Sequence, residues 1–199
     1  MVSAETKFYL AVGGLLVLVV VAALWRNTVD NPRPADAPAV AGVVLGKDSA
    51  PVKVDYYFDF ACSHCQAASP LLLAAYQAYP DDIQIAFFPV SGIASQLSSQ
   101  AMVCAGQQKN FLPVYESLMA RQGNASQQDI NIFVEQAGLT ADKFQACLAD
   151  GVTRQQLTAY ITAAAQRGIT QVPTLFVNGQ SVNWQNIGNE LERAVNLTP

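Results

Sequence analysis

The apolar residues of the chain follow two spacings that predict alternating strands and helices. Two early runs rich in β-branched and aromatic residues, 52–60 and 83–88, predict strands. A helix is expected between them, from the cysteine motif at residue 62 to residue 78. Residues 95–167 have a helical pattern, and four interruptions predict loops within it: near 110–113, 123–126, 138–140 and at 151.

The C-terminal part returns to a strand pattern. Residues 175–177 predict a strand, Asn178-Gly179 is a strong two-residue hairpin signal, and residues 180–183 predict the returning strand. A last helix is expected over 188–196. The order strand, helix, strand, helical insertion, hairpin and helix predicts an α/β fold. Its core would comprise residues 42–91 and 168–197, with residues 92–167 inserted.

Residues 8–25 form a separate apolar run of eighteen positions without a charge. As a helix this run would span ~27 Å, close to the hydrocarbon thickness of a bilayer. We expect residues 1–26 to be an N-terminal membrane anchor. The alternative is a cleaved signal sequence, but no small-x-small site closely follows the run. Residues 27–41 are rich in Pro and Ala and predict a linker.

Composition excludes several functions. The chain is 51% hydrophobic and 13% charged, where a charged share of about 25% is usual, so it is not a disordered chain. Its net charge is −4 and it has no basic cluster, which argues against nucleic-acid binding. The single histidine, His64, leaves no histidine-rich metal site, and we expect neither a metal nor a cofactor.

Cys62 and Cys65 are the candidate catalytic residues. Their spacing on a helix puts both on one face, and the preceding strand delivers Cys62 to the helix N-terminus. Unpaired N–H groups there stabilise a thiolate, and a protonated His64 would add a positive charge beside it. A stabilised thiolate is a good leaving group, so the disulfide oxidises other dithiols. Cys62 would be the attacked sulfur, and Cys65 would resolve the mixed disulfide.

Two other interpretations of this motif remain open. A Cys-x-x-Cys pair can be half of a zinc site, but a structural site needs four ligands and the other two cysteines are not paired in sequence. The pair could also form a structural disulfide, as short-range cysteine pairs do in secreted domains. A strand, the motif and then a helix favour the redox interpretation.

Several segments resemble the DsbA-like branch of the thioredoxin superfamily. They include FDFACSHC at the motif and QVPTLFVNG near the C-terminus, with CAGQQKNFLPVYESL and GLTADKFQACLADG in the insertion. The resemblance covers residues 42–197. It implies a thioredoxin fold interrupted by a helical domain and oxidation of dithiols in exported proteins. The implied partners are reduced exported proteins and a membrane disulfide-generating oxidase, DsbB- or VKOR-like.

The resemblance also implies a substrate-binding region opposite the cysteines. It places a cis proline at Pro173, preceded by Val172, and a cis bond would leave the preceding backbone free to pair with an extended substrate. From the residues alone, an ordinary trans proline opening an edge strand is the simpler interpretation. Phe60, next to the motif, is a further candidate for this groove.

The chain departs from the family pattern at three positions. Ser63 replaces a frequent Pro, and Gln171 replaces a Gly that often precedes the Val-Pro pair. Tyr56 stands where the family often has a buried Glu that helps proton transfer to the resolving cysteine. Strand alternation points the neighbouring Asp55 and Asp59 to the other face, which leaves the proton acceptor for Cys65 unassigned.

Cys104 and Cys147 lie 43 positions apart in the predicted insertion. Two buried free thiols are one interpretation. In an oxidising compartment two nearby thiols would be expected to close, and some DsbA-like proteins have a second disulfide in this domain. We expect a structural bridge.

The sequence therefore predicts a disulfide oxidase anchored in a bacterial cytoplasmic membrane, with its catalytic domain in the periplasm or extracytoplasmic space. A reductase or isomerase of the same fold is one alternative. A non-catalytic anchored binding module and a metal carrier are the others.

Overall fold

A computed structural model describes residues 40–90 and 92–197 of the chain, without the side chain of Ile93. The predicted anchor at 1–26 and nearly all of the predicted linker at 27–41 lie outside these residues. In the part that is described, no helix is both long enough and apolar enough to cross a membrane.

The described residues form an α/β fold around a five-stranded mixed sheet. Its strands are β1 (Val43–Leu45), β2 (Val52–Phe58), β3 (Ile83–Pro89), β4 (Thr174–Val177) and β5 (Gln180–Val182). The spatial order is β1-β3-β2-β4-β5. β2 and β3 are parallel, and the other neighbouring pairs are antiparallel. β2 is therefore in the centre, and its C-terminal end carries the cysteine motif.

Helices α1 (Ser63–Ala78) and α7 (Ile187–Leu197) pack against each other. α1 connects β2 to β3 and continues through Pro70. A short 3-10 helix, Trp184–Asn186, precedes α7, and the Asn183 side chain caps it by accepting a hydrogen bond from the Gln185 N–H. The turn 59–62 joins the central strand to α1, so the motif lies at the C-terminal end of β2 and at a helix start.

Between β3 and β4, the residues that the structure describes form five α-helices. They follow a 3-10 turn at Ile93–Ser95 and are α2 (Gln96–Gln107), α3 (Leu112–Ala120), α4 (Gln127–Gln136), α5 (Ala141–Ala149) and α6 (Val152–Gln166). Their boundaries coincide with the predicted interruptions. Ser126 and Asp129 form a reciprocal capping box at the start of α4. Gly151, with a φ of 76°, precedes α6 in a conformation that other residues rarely adopt.

Strand β2 is buried on both faces over its second half. Its aromatic side chains stack with those of β3, with ring centroids 4.6 Å apart for Tyr57 and Phe88. Tyr115 of α3 adds an edge contact to Phe87 and to Phe58. The insertion therefore contributes to the same core as the sheet.

A second link joins α6 to the sheet. Arg167, which follows α6, donates to the Asp55 carboxylate at 2.7 Å and to the Tyr57 hydroxyl at 2.8 Å. Its guanidinium lies 4.1 Å from the ring centroid of Phe176. Only 9% of the Arg167 side chain is exposed, so this ion pair is shielded from solvent on the arginine side.

Candidate active site

Cys62 occupies the N-cap position of α1, where the backbone changes from extended to helical. Its sulfur accepts a hydrogen bond from the Cys65 backbone N–H at 3.3 Å. A helix N-terminus has N–H groups without intrahelical acceptors, so negative charge on the Cys62 sulfur is stabilised there. Cys62 is partly exposed and can be reached by another protein.

Cys65 lies one turn further into α1 and is fully buried. Burial raises the pKa of the Cys65 thiol strongly, and its hydrogen bond with the Cys62 side chain acts in the same direction. Both cysteines are free thiols in this structure. The pair is therefore asymmetric, with one accessible sulfur and one neutral, buried thiol.

The loop before β4 faces the motif. The Cys62 thiol donates to the Val172 carbonyl, with 3.6 Å between sulfur and oxygen. The Val172–Pro173 peptide bond is cis, and both residues are half-buried. The structure therefore brings Cys62, Val172 and Pro173 together.

His64 is exposed on the first turn of α1, beside Trp184. The two rings are tilted by 31°, and their centroids are 5.8 Å apart. A half-buried indole thus lies next to the exposed imidazole. Sequence reasoning missed this contact, because 120 residues separate the two rings in the chain.

Phe60 does not lie in a groove. Its side chain is fully buried, with its ring 5.1 Å from Phe58 and 5.9 Å from Tyr115, measured between centroids. The expectation that Phe60 contacts substrate is therefore corrected. Phe60 lies two positions after Phe58, the buried last residue of β2, and its ring continues the core instead of facing solvent.

Tyr56 lies beneath the motif, where the family pattern suggested a glutamate. It is fully buried and donates its hydroxyl hydrogen to the Cys65 carbonyl at 3.0 Å. Its hydroxyl also interacts with that of Tyr115, which donates to the Ser69 hydroxyl at 2.8 Å. Burial raises the pKa of Tyr56 well above its ordinary value, so it acts as a neutral donor and not as a base.

Asp55 and Asp59, expected on the same face, have different surroundings. Asp55 pairs with Arg167. Asp59 follows the end of β2, so strand alternation does not govern it, and its carboxylate accepts a hydrogen bond from the Ala61 N–H at 2.9 Å. Sequence reasoning missed this role, although an Asp three residues before a helix N-cap is a typical turn signal.

Cys104 and Cys147 form a disulfide that joins α2 to α5. Because these sulfurs are bonded to each other, they do not complete a zinc site with Cys62 and Cys65. The arrangement at Cys62 is suited to thiol–disulfide exchange, since it combines an accessible sulfur at a helix N-terminus with a second sulfur one turn away.

A sequence model of a family described as Thioredoxin matches residues 39–196, more than half of the chain. The chain belongs to this thioredoxin family. Its fold is thioredoxin-like and of the DsbA type. The crystal structure of the thiol-disulfide exchange protein alpha-DsbA2 from Wolbachia pipientis superposes with a TM-score of 0.68 at 15% identity, covering 84% of this chain and 92% of that one.

Two curated relatives of this thioredoxin family member are named for different activities, one as an antiporter and one as a disulfide interchange protein. The Na(+)/H(+) antiporter NhaA 1 of Salinispora arenicola is 29% identical over 143 residues, which is 69% of this chain and 22% of the antiporter. The thiol:disulfide interchange protein DsbA of Escherichia coli is 23% identical over 134 residues, 62% of this chain and 64% of DsbA. The chain thus spans less than two thirds of the length of either relative.

Proposed function

We propose that this protein is a thiol–disulfide oxidoreductase that introduces disulfide bonds into exported proteins through Cys62 and Cys65. The observation that carries this proposal is the geometry at Cys62, whose sulfur lies 3.3 Å from a helix N-terminal N–H and 3.6 Å from the Val172 carbonyl. The first contact stabilises a leaving thiolate. The second contact places the backbone just before β4 beside the reacting sulfur, where an extended substrate segment can pair with it.

The reaction begins with the Cys62–Cys65 disulfide. A substrate thiolate attacks the accessible Cys62 sulfur, the Cys62–Cys65 bond breaks, and Cys65 leaves with the electron pair and takes up a proton. A second substrate thiol loses its proton and attacks the substrate sulfur of the mixed disulfide, releasing Cys62 as a thiolate. The substrate dithiol is oxidised by two electrons, and the cysteine pair is reduced by two.

The asymmetry of the pair supports the oxidase direction. Stabilisation of the released Cys62 thiolate favours the reduced form of the protein, and this makes its disulfide a better oxidant. The buried Cys65 holds its proton once it has left. His64, exposed two residues after Cys62 on the first turn of α1, would add stabilisation when it carries a positive charge.

An extracytoplasmic location is part of the proposal. The Cys104–Cys147 disulfide supports it, because such bonds persist in oxidising compartments. The apolar run at residues 8–25 supports a single-pass anchor in a bacterial cytoplasmic membrane. Reoxidation would need the disulfide of a membrane partner, DsbB- or VKOR-like, which takes the two electrons from Cys62 and Cys65.

The test is stoichiometric transfer of the disulfide. Oxidised protein is mixed with an unfolded peptide that contains two reduced cysteines, and both partners are followed by mass. We expect one peptide disulfide per protein oxidised at Cys62–Cys65, and none with Cys62→Ser. Reduction of insulin in dithiothreitol without transfer to the peptide would identify a reductase. Failure of both reactions would identify a binding module.

A further inference from the structure

The carboxylate of Asp59 accepts hydrogen bonds from two segments of the chain. In the turn that leads to Cys62, the Ala61 N–H donates to Oδ1 at 2.9 Å. In the segment that enters the insertion, the Gly92 N–H donates to Oδ2 at 3.1 Å, and the hydroxyl of Ser95 donates to Oδ1. Asp59 therefore joins the active-site turn to the start of the insertion.

The turn itself is closed by its own backbone. The Cys62 N–H donates to the Asp59 carbonyl at 3.1 Å, so residues 59–62 are held by this bond and by the side-chain bond to Ala61. These two bonds set the direction in which the chain enters α1. The distance from the Cys62 sulfur to the Cys65 N–H depends on that direction.

The insertion also packs closely against the turn. Ser95 is almost fully buried, and a Cβ at Gly123 would lie 3.0 Å from the Ser95 Cβ and 2.8 Å from the Phe60 Cβ. Those separations are too short for a side chain at Gly123. The turn is therefore fixed by a part-buried polar contact on one side and by close packing on the other.

We propose that Asp59 is a positioning residue whose contacts with the insertion hold the Cys62 sulfur at the N-terminus of α1. This inference rests on the proposed function, because it concerns exchange at the same sulfur. The insertion thereby becomes part of the mechanism, since its first residues supply two of the three donors to the Asp59 carboxylate.

Besides this positioning effect on Cys62, the negative charge of Asp59 has a separate electrostatic effect on Cys65. The carboxylate is close enough to Cys65 to disfavour negative charge on that sulfur, whereas the Asp59 backbone N–H favours it. The test variants therefore both keep the charge of Asp59 and loosen the turn in two different ways. Asp59→Glu keeps the charge but displaces the carboxylate, and Ser95→Ala keeps the carboxylate but removes one donor.

The experiment measures the equilibrium between each protein and a glutathione redox buffer, together with the rate of Cys62 exchange. Both variants should shift the equilibrium toward the Cys62–Cys65 disulfide by more than twofold and at most roughly tenfold, the limit set by losing a hydrogen bond to a charged group from the reduced form alone. The shift follows because a loosened turn stabilises the Cys62 thiolate less. The controls are Asp81→Glu, an exposed carboxylate, and Ser98→Ala, a buried serine that donates to the Gly123 carbonyl.

The outcomes separate this inference from the proposed function. If the wild type does not exchange with glutathione, the proposed function fails and the inference falls with it. If the wild type exchanges but both variants match it within twofold while unfolding more easily, Asp59 has only a structural role. An equal shift in Ser98→Ala would also overturn the inference. If Asp59→Glu does not fold, Ser95→Ala decides, since it retains the carboxylate and both backbone donors.

Discussion

The hydroxyl of Tyr56 donates to the backbone carbonyl of Cys65 at 3.0 Å, from a side chain that has no access to solvent. A neutral phenol thus holds the backbone of the resolving cysteine by a buried hydrogen bond. Because burial raises the pKa of Tyr56, this phenol keeps its proton throughout the pH range in which the protein would act.

Replacing Tyr56 by Phe should lower stability without creating or removing a base. The variant leaves the buried Cys65 carbonyl without this donor, and a loss of about 1–2 kcal/mol in the free energy of unfolding is expected. Urea denaturation measures the loss, and Tyr79→Phe, at the half-buried end of α1, is the control. A change in the shape of the pH profile of thiol exchange would contradict the neutral-donor role.

The raised pKa of Cys65 predicts a pH-dependent stability of the reduced protein. A thiol has an ordinary pKa of 9.0, and folding raises it, so the folded state keeps a proton that the unfolded state releases. Stability is therefore full below pH 9 and decreases above it, by at most ~1.4 kcal/mol per pH unit. Denaturation of the reduced protein between pH 8 and 10 should show a steeper loss than in Cys65→Ala. Equal slopes would contradict the burial argument.

The disulfide in the insertion should contribute to stability and not to exchange. A double variant, Cys104→Ala with Cys147→Ala, releases a loop of 43 residues. Chain entropy sets the expected loss at up to ~4 kcal/mol. Transfer of the Cys62–Cys65 disulfide to a peptide, measured below the unfolding range of the variant, should be unchanged. Loss of transfer in the folded variant would show that this bond takes part in the reaction.

Arg167 and Arg193 allow a buried and an exposed ion pair to be compared. Arg167→Ala leaves Asp55, one-third exposed, without its partner, and we expect a loss of about 3 kcal/mol, the lower end for a broken buried pair. Arg193→Ala removes an exposed partner of Glu190 in α7, and its effect should be about 0.5 kcal/mol or less. Thermal or urea denaturation measures both. Similar losses in the two variants would contradict the assigned burial of Arg167.

Local patterns were enough to predict most of the elements. The two central strands, the helix that starts at the cysteine motif and all four interruptions of the insertion follow from spacing, glycine and proline alone. Strand β1 was missed because three residues, Val43–Leu45, are too short to show a period. Its pairing with β3 is decided by tertiary contact.

The site was predictable where it depends on neighbours in sequence. The spacing of Cys62 and Cys65 places them correctly, since both lie on one helical turn. Asp59 was misjudged because the donors that define its role, Gly92 and Ser95, lie more than thirty residues away. Phe60 was misjudged because burial depends on packing of the insertion, which no local pattern reports.

Capture of the mixed disulfide shows which of the two cysteines reacts with a substrate thiol. The Cys65→Ala variant is first oxidised with glutathione, which caps Cys62 as a mixed disulfide. It is then mixed with a peptide that carries one cysteine, and the adduct is located by mass spectrometry under non-reducing conditions. A stable peptide adduct is expected at Cys62, because the resolving thiol is absent, and no adduct is expected in Cys62→Ala, where the remaining free thiol is buried. An adduct of equal yield on Cys65 in Cys62→Ala, or none in Cys65→Ala, would contradict the assignment of Cys62 as the reacting sulfur.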